Sequence, residues 1–143
     1  MNHFVSIGSP GSDPFLDEHG LFYARQLAAL LNGDAEAGYL GRVASFERNF
    51  DATSEGIKHI HIRIAGKEEP WSSKVRRFER KSDNFLIYAT HWFYGNYHQV
   101  LAIVSPDAHH RIDSILPDMI DYVARNFSPL TEEQLKALGD VGR

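Results

Sequence analysis

The chain has 143 residues, a net charge of −4, 43% hydrophobic residues, 24% charged residues and no cysteine. That length suits a single domain able to bury its own core, and the missing cysteines exclude a disulfide framework, a thiolate metal site and a thiol nucleophile. No apolar run is long enough to span a membrane, and the opening MNHFVSIGSPGSDP lacks the basic-then-apolar pattern of a secretory leader, so a cytoplasmic protein is expected.

Residues 3–7 (HFVSI) read as a short strand, followed by the breaker-rich loop GSPGSDP. Asp13 before Pro14 has the order of an N-cap and a first helical residue. Phe15, Leu16, Phe22, Tyr23, Leu27, Leu30 and Leu31 then recur at helical spacing, and Asn32 with Gly33 supplies the stop. Residues 34–56 mix charge with Gly38 and Gly41 and predict a loop-rich excursion holding one turn of helix. From residue 57 the pattern switches to period two, with Ile60, Ile62 and Ile64 toward the core and His59 and His61 together on the opposite face. A turn containing Gly66 and Pro70 follows, and residues 75–80 read as a further strand.

Residues 85–92 and 97–104 carry the strongest strand composition, and Gly95 with Asn96 between them predicts an antiparallel pair. A helix should start at Asp107 or Asp113, be interrupted or restarted at Pro117, and close at Ser128 and Pro129. T-E-E-Q from Thr131 opens a last short helix. The sum is an α+β domain over residues 1–143: one antiparallel sheet of three to four strands with packed helices. It divides into an N-terminal strand and helix (1–40), a sheet and helix core (57–127) and a C-terminal extension (128–143).

The net charge conceals an asymmetry. Residues 57–81 hold eight bases against three acids, a local +5, which leaves seven bases and sixteen acids, −9, for the rest. A basic island on an acidic chain suits a local anion site rather than a nucleic-acid coat, although a solvated loop face has the same composition. Within the island, an extended 75–80 would turn Arg76, Phe78 and Arg80 one way, two guanidinium groups around a ring, as a phosphate beside a base requires. A sheet edge kept soluble by charge would look alike.

The histidines add chemistry. RNA is cleaved when its own 2′-OH attacks phosphorus, which needs a base, an acid for the departing 5′-oxygen and cations for the transition state. Histidine serves the first two near neutral pH, and arginine the third. The candidates are His59 or His61 as base, His109 as acid, and Arg76 and Arg80, with Arg77, as phosphate clamps. Asp83 and Tyr88 would orient them, Tyr88 alternatively stacking a base, with Lys74, Lys81 and His110 as further RNA contacts. This reading requires imidazoles from the first and last central strands to converge beside guanidinium groups. It needs no metal and no cofactor. Walker-type, GxGxxG and GxSxG motifs are absent, which disfavours nucleotide hydrolases, Rossmann dehydrogenases and α/β-hydrolases. Two rivals stay open: a non-catalytic RNA- or protein-binding module, and a metal-dependent hydrolase using His59, His61, Asp107 and His109.

One ordered set of residues resembles the YafO toxins of bacterial type II toxin–antitoxin systems. It comprises Gly41 and Arg42, His59-Ile60-His61, Pro70, Arg76-x-Phe78-x-Arg80, Asp83, Leu86-x-Tyr88, Leu101-Ala102-Ile103, Pro106, His109, Met119 and Phe127, spanning about residues 40 to 128. A more distant similarity to the RelE/YoeB toxins lies in Arg76 and Arg77, Leu86-Ile87-Tyr88, the run from Val100 to Val104, and His109 or His110. The resemblance implies a RelE-like fold and an mRNA interferase that cuts message on the ribosome. It also implies a cognate antitoxin as partner and catalytic roles at Arg76, Arg77 and His109.

Overall fold

The computed structural model describes residues 2–33 and 38–142; the part of the expected loop excursion at 34–37 lies outside them. The described elements are β1 (Phe4–Ile7), α1 (Pro14–Leu31), β2 (Leu40–Ser45), α2 (Phe50–Ser54), β3 (Ile57–Ile62), β4 (Phe85–Thr90), β5 (Tyr97–Val104), α3 (Ala108–Asn126) and α4 (Glu132–Ala137). A 3-10 turn at Arg77–Glu79 lies between β3 and β4. The strands form one sheet in the order β1-β5-β4-β3-β2. The β2–β3, β3–β4 and β4–β5 pairs are antiparallel, while β1 runs parallel to β5, with Phe4 opposite Tyr97 and Ile7 opposite Val100.

The expected sheet of three to four antiparallel strands is therefore corrected to a mixed sheet of five. The parallel pair arises because α1 carries the chain from one edge of the sheet to the other, so β1 makes no hairpin with the next strand. The strand missing from the sequence reading is β2. Its period-two signal is broken by a register shift between Leu40 and Val43 and by Gly41 within it.

Both faces of the sheet are covered. On one, Leu16, Tyr23, Ala24 and Leu27 of α1 pack on Val5, Ile60, Ile62, Leu86, Tyr88 and Val100. On the other, Ile112, Leu116, Met119 and Val123 of α3 and Phe127 at its C-cap, spaced three and four apart, pack on Ile57, Phe85, Ile87, Tyr97 and Leu101. Each fully buried side chain of this size contributes roughly 1.5–3 kcal/mol. Burial on both sides explains why β5 ends in the unbroken apolar run from Val100 to Val104.

The helix ends follow local chemistry with one exception. Asp13 accepts from the Leu16 N–H at 3.0 Å, Gly33 turns left-handed (φ 70°) after α1, and Thr131 with Gln134 forms a capping box on α4. Asp107 precedes α3 but makes no capping bond with its side chain. Pro117 does not interrupt α3, contrary to the sequence expectation. It lies on the exposed side, where the carbonyl deprived of its partner meets water and the buried stripe continues past it. At the chain's end, Val141 donates to the Val5 carbonyl (2.9 Å) and Asp140 accepts from the Val5 N–H (3.1 Å), which covers the outer edge of β1.

The expected strand over 75–80 is absent, so Arg76, Phe78 and Arg80 do not alternate on one face. This segment is the 3-10 turn, lying along the outer edge of β2, where the Arg42 N–H donates to the Arg80 carbonyl at 3.0 Å. Gly41 permits that approach, since a Cβ there would stand 2.5 Å from the Arg80 carbonyl oxygen. The Arg80 side chain, 1% exposed, donates to the carbonyls of Val75 (2.9 Å), Leu40 (3.2 Å) and Ser72 (3.3 Å). It thus pins the 72–80 loop to the sheet. Arg80→Leu is expected to lower stability by about 2–3 kcal/mol, because buried carbonyls lose a charged donor. Urea unfolding checks this, and an unchanged midpoint would remove Arg80 from the framework.

Candidate functional site

His59 and His61 lie two apart on β3 and face the α3 side of the sheet, where Phe85 of β4 is the cross-strand partner of His61. His109 lies in the first turn of α3. The three imidazoles surround one phenyl ring, with centroids 4.6, 4.9 and 4.8 Å from that of Phe85 for His59, His61 and His109. His61 stands between the other two, 5.7 Å from His59 and 5.6 Å from His109. Histidines from the first and last central segments thus come together, as the sequence reading required.

Asp83 sets the position of His109. One carboxylate oxygen accepts from the His109 backbone N–H (2.9 Å) and from its Nδ1 (2.7 Å), while the Asp83 carbonyl accepts from the Ala108 N–H (3.0 Å). A residue far back in sequence therefore caps α3 in place of Asp107. The His109 backbone N–H and imidazole hold the Asp83 carboxyl below its usual range. With Nδ1–H engaged, the His109 Nε2 is left for chemistry.

His61 has a partner in either charge state. Its Nδ1 is 2.8 Å from both the N–H and the carbonyl oxygen of Ser82. A neutral Nδ1 accepts from the amide, and a protonated one donates to the carbonyl. Burial lowers its pKa and the Ser82 carbonyl opposes that. Burial lowers His59 further, to about 4, helped by the positive charges of His61, His109 and Arg42. The His59 Nδ1 is buried without a hydrogen-bond partner.

A cleft of about 580 Å³ opens beside this cluster, lined by Arg42, Phe46, Arg48, His59, His109 and Asp113 among others. The Phe46 ring lies 4.7 Å from His59. The guanidinium groups at the cleft are therefore Arg42 and Arg48, which the sequence reading assigned no role. Arg42 stood in the YafO-like residue set, but its strand was not recognised; Arg48 carried no signal.

The other candidates separate. Arg80 is buried in the framework and does not reach the cleft. Arg76 is exposed, 6.0 Å from the Phe78 ring, and Arg77 is half-buried; neither lines the cleft. Tyr88 is on the α1 side of the sheet, 3% exposed, its hydroxyl pushed up to about 12 by burial. It can neither orient His59 and His61 nor stack a base, because successive residues of β4 face opposite sides. Lys81 is near enough to weigh on the His61 charge, Lys74 is exposed on the loop, and exposed His110 acts on Asp83 electrostatically. Among the described residues no three His, Asp or Glu side chains are arranged to hold a metal ion, so the set of His59, His61, Asp107 and His109 is not assembled.

A family model described as "Toxin YafO, type II toxin-antitoxin system" matches residues 28–129, well over half of the chain. No curated protein and no solved structure matches it.

The imidazoles predict a pH dependence. His59 and His98 titrate near 4 in the folded chain, against an ordinary 6.5. Between those values the unfolded chain binds more protons, so these groups make stability fall as pH drops from about 6.5 toward 4 and contribute no slope above it. Urea midpoints across pH 4–8 check the sign. His59→Phe should flatten the slope, and a histidine-ring titration of His59 near 6.5 would contradict the burial argument.

Proposed function

Because the chain belongs to the YafO toxin family of type II toxin–antitoxin systems, we propose that it is an endoribonuclease that cuts mRNA on the ribosome, without a metal, and so inhibits translation. The observation that carries this reading is the imidazole cluster around Phe85, one member held by Asp83, beside an arginine-lined cleft.

His59 and His109 both line the cleft, whereas His61 is 5% exposed behind them. That supports His59 and His109 as the pair that meets substrate, with His61 packed between them. His59 is unprotonated at neutral pH and accepts the 2′-OH proton. The 2′-oxygen bonds to phosphorus, the bond from phosphorus to the 5′-oxygen breaks, and His109 gives that oxygen a proton from Nε2. The product ends are a 2′,3′-cyclic phosphate and a 5′-hydroxyl. Arg42 and Arg48 replace Arg76, Arg77 and Arg80 as the cations facing the charge that builds on phosphate. Phe46 offers a face for a neighbouring base. The partners in this reading are translated mRNA, the ribosome and a cognate antitoxin, which places the protein in the cytoplasm. No described helix is long and apolar enough to cross a membrane.

Induction in growing bacteria with mapping of mRNA ends tests the proposal. His59→Ala and His109→Ala should each reduce cleavage by about 100-fold or more, and Arg42→Ala by roughly tenfold or more, while chelation of divalent ions in a purified translation system leaves it unchanged. Full toxicity in the two histidine variants would end this site assignment. Growth arrest with ribosome binding but no new mRNA ends would favour the binding-module reading instead.

A further inference from the structure

The histidine cleft holds more charge than the cleavage chemistry uses. Its lining includes Arg42 and Arg48 but also the carboxylates of Glu47 and Asp113. Among the described residues none of these four forms an ion pair, although opposite charges share one cleft. Unpaired charges of both signs match a ligand that is anionic at one point and offers hydrogen-bond donors at another. A nucleotide is such a ligand, because its phosphate oxygens accept while the edge of its base can donate. Asn49 adds a polar group whose role is fixed. Its N–H closes the turn after β2 onto the Phe46 carbonyl at 2.9 Å, and its Oδ1 accepts the Ala52 N–H at 3.1 Å as the cap of α2. With that oxygen committed, the Nδ2 group is left to the cleft as a donor.

The elements order these groups along the cleft. β2 and β3 are antiparallel, with Leu40 opposite Ile62 and Ser45 opposite Lys58. His61, which packs on His109, therefore lies toward the Arg42 end, and His59, which packs on Phe46, toward the turn that follows β2. α3 runs from His109 in that same direction, since Ser128 beyond its end donates to Glu55 at the end of α2 (2.6 Å). Asp113 stands one turn along α3 from His109, about 6 Å nearer the Phe46 turn and on the same helix face. In the cleavage step the 2′-OH belongs to the nucleotide 5′ of the cut and the departing 5′-oxygen to the nucleotide 3′ of it. With His59 as base and His109 as acid, the upstream base falls at the end of the cleft that holds Phe46, Asn49 and Asp113.

We infer that Asp113 and Asn49 read the base immediately 5′ of the cut and select guanine, with uracil the most disfavoured. Single-stranded RNA is read on the exposed edges of its bases. Guanine presents N1–H and its 2-amino group side by side, a pair of donors that one carboxylate accepts through two parallel bonds. Its O6 beside them accepts from a donor such as the Asn49 Nδ2. Adenine and cytosine offer Asp113 a single amino group. Uracil flanks its one N–H with two carbonyl oxygens, which a carboxylate repels. The inference rests on the nuclease reading above and adds to it the orientation of the RNA and the identity of the upstream base.

The test maps mRNA ends after induction of the full chain as wild type, Asp113→Asn and Asn49→Asp. The base 5′ of each cut is scored against its frequency in translated message. Wild type should favour guanine over uracil by about tenfold or more. Asp113→Asn exchanges one acceptor oxygen for a donor at an exposed helix position, and the ratio should fall close to one. Asn49→Asp keeps the cap of α2 but removes the donor facing O6, and should lower the ratio by about threefold or more. Thermal unfolding checks that both variants are folded. Absence of new ends with wild type would end the nuclease reading and this inference with it. New ends without guanine enrichment, or with the wild-type enrichment in either variant, overturn this inference alone. Loss of cleavage after all four bases in folded Asp113→Asn also overturns it, because Asp113 would then belong to the reaction rather than to base selection.

Discussion

Asp83 joins the fold to its chemistry through one short segment. Its carbonyl and its carboxylate receive the first N–H groups of α3, and the same carboxylate oxygen receives the His109 ring. The residue before it, Ser82, holds His61 through both backbone groups. Two consecutive residues leading into β4 therefore set the start of a helix and the orientation of two imidazoles on different elements. The helix N-terminus favours negative charge at Asp83, so the capping bond and the histidine bond reinforce one another. Without that segment α3 would begin with unpaired donors, and His109 would have no fixed relation to β3.

The sheet determines where such a cluster can sit. Its α1 face is closed by aliphatic side chains and by Tyr23 and Tyr88. On its α3 face, His59 and His61 occupy positions that the alternation of β3 would otherwise give to apolar residues, with Phe85 as their packing partner. Imidazoles in that layer are kept neutral by burial, which is why His59 is pushed to about 4. The cleft opens where β2 and the start of α2 leave α3 short of complete coverage, and there Arg42, Phe46 and Arg48 are available to a ligand.

The basic island divides by role. Arg80 spends its donors on the carbonyls of Leu40, Ser72 and Val75 and stabilises the long β3–β4 connection against the edge of β2. A guanidinium has enough planar donors to serve as the hub of a loop, and a run of bases in sequence does not distinguish that use from phosphate binding. The same edge contact, backbone to backbone between Arg42 and Arg80, holds the strand that brings Arg42 to the cleft. The structural arginine thus supports the strand that carries the catalytic candidate.

Much of this molecule was legible in its residues. Asp13 with Pro14, Asn32 with Gly33 and the T-E-E-Q box marked helix ends because capping is decided within three or four residues. The alternation of Ile60 and Ile62 with His59 and His61 assigned faces because a strand's period is strictly two. The ordered YafO-like set named the family. What remained hidden depended on contacts between distant segments. The strand β2 is recognisable only beside β3, since a register shift and Gly41 erase its pattern. The parallel placement of β1 follows from the path of α1. Tyr88 and Arg80 were misread because side-chain type does not reveal which face of a sheet a residue meets or which carbonyls surround it. Asp83 as the cap of α3, and Arg42 and Arg48 as the arginines at the histidines, are decided by chain segments that meet only after folding. Local periodicity encodes the elements, but the chemistry of a site depends on which elements become neighbours, and only the closed tertiary structure settles that.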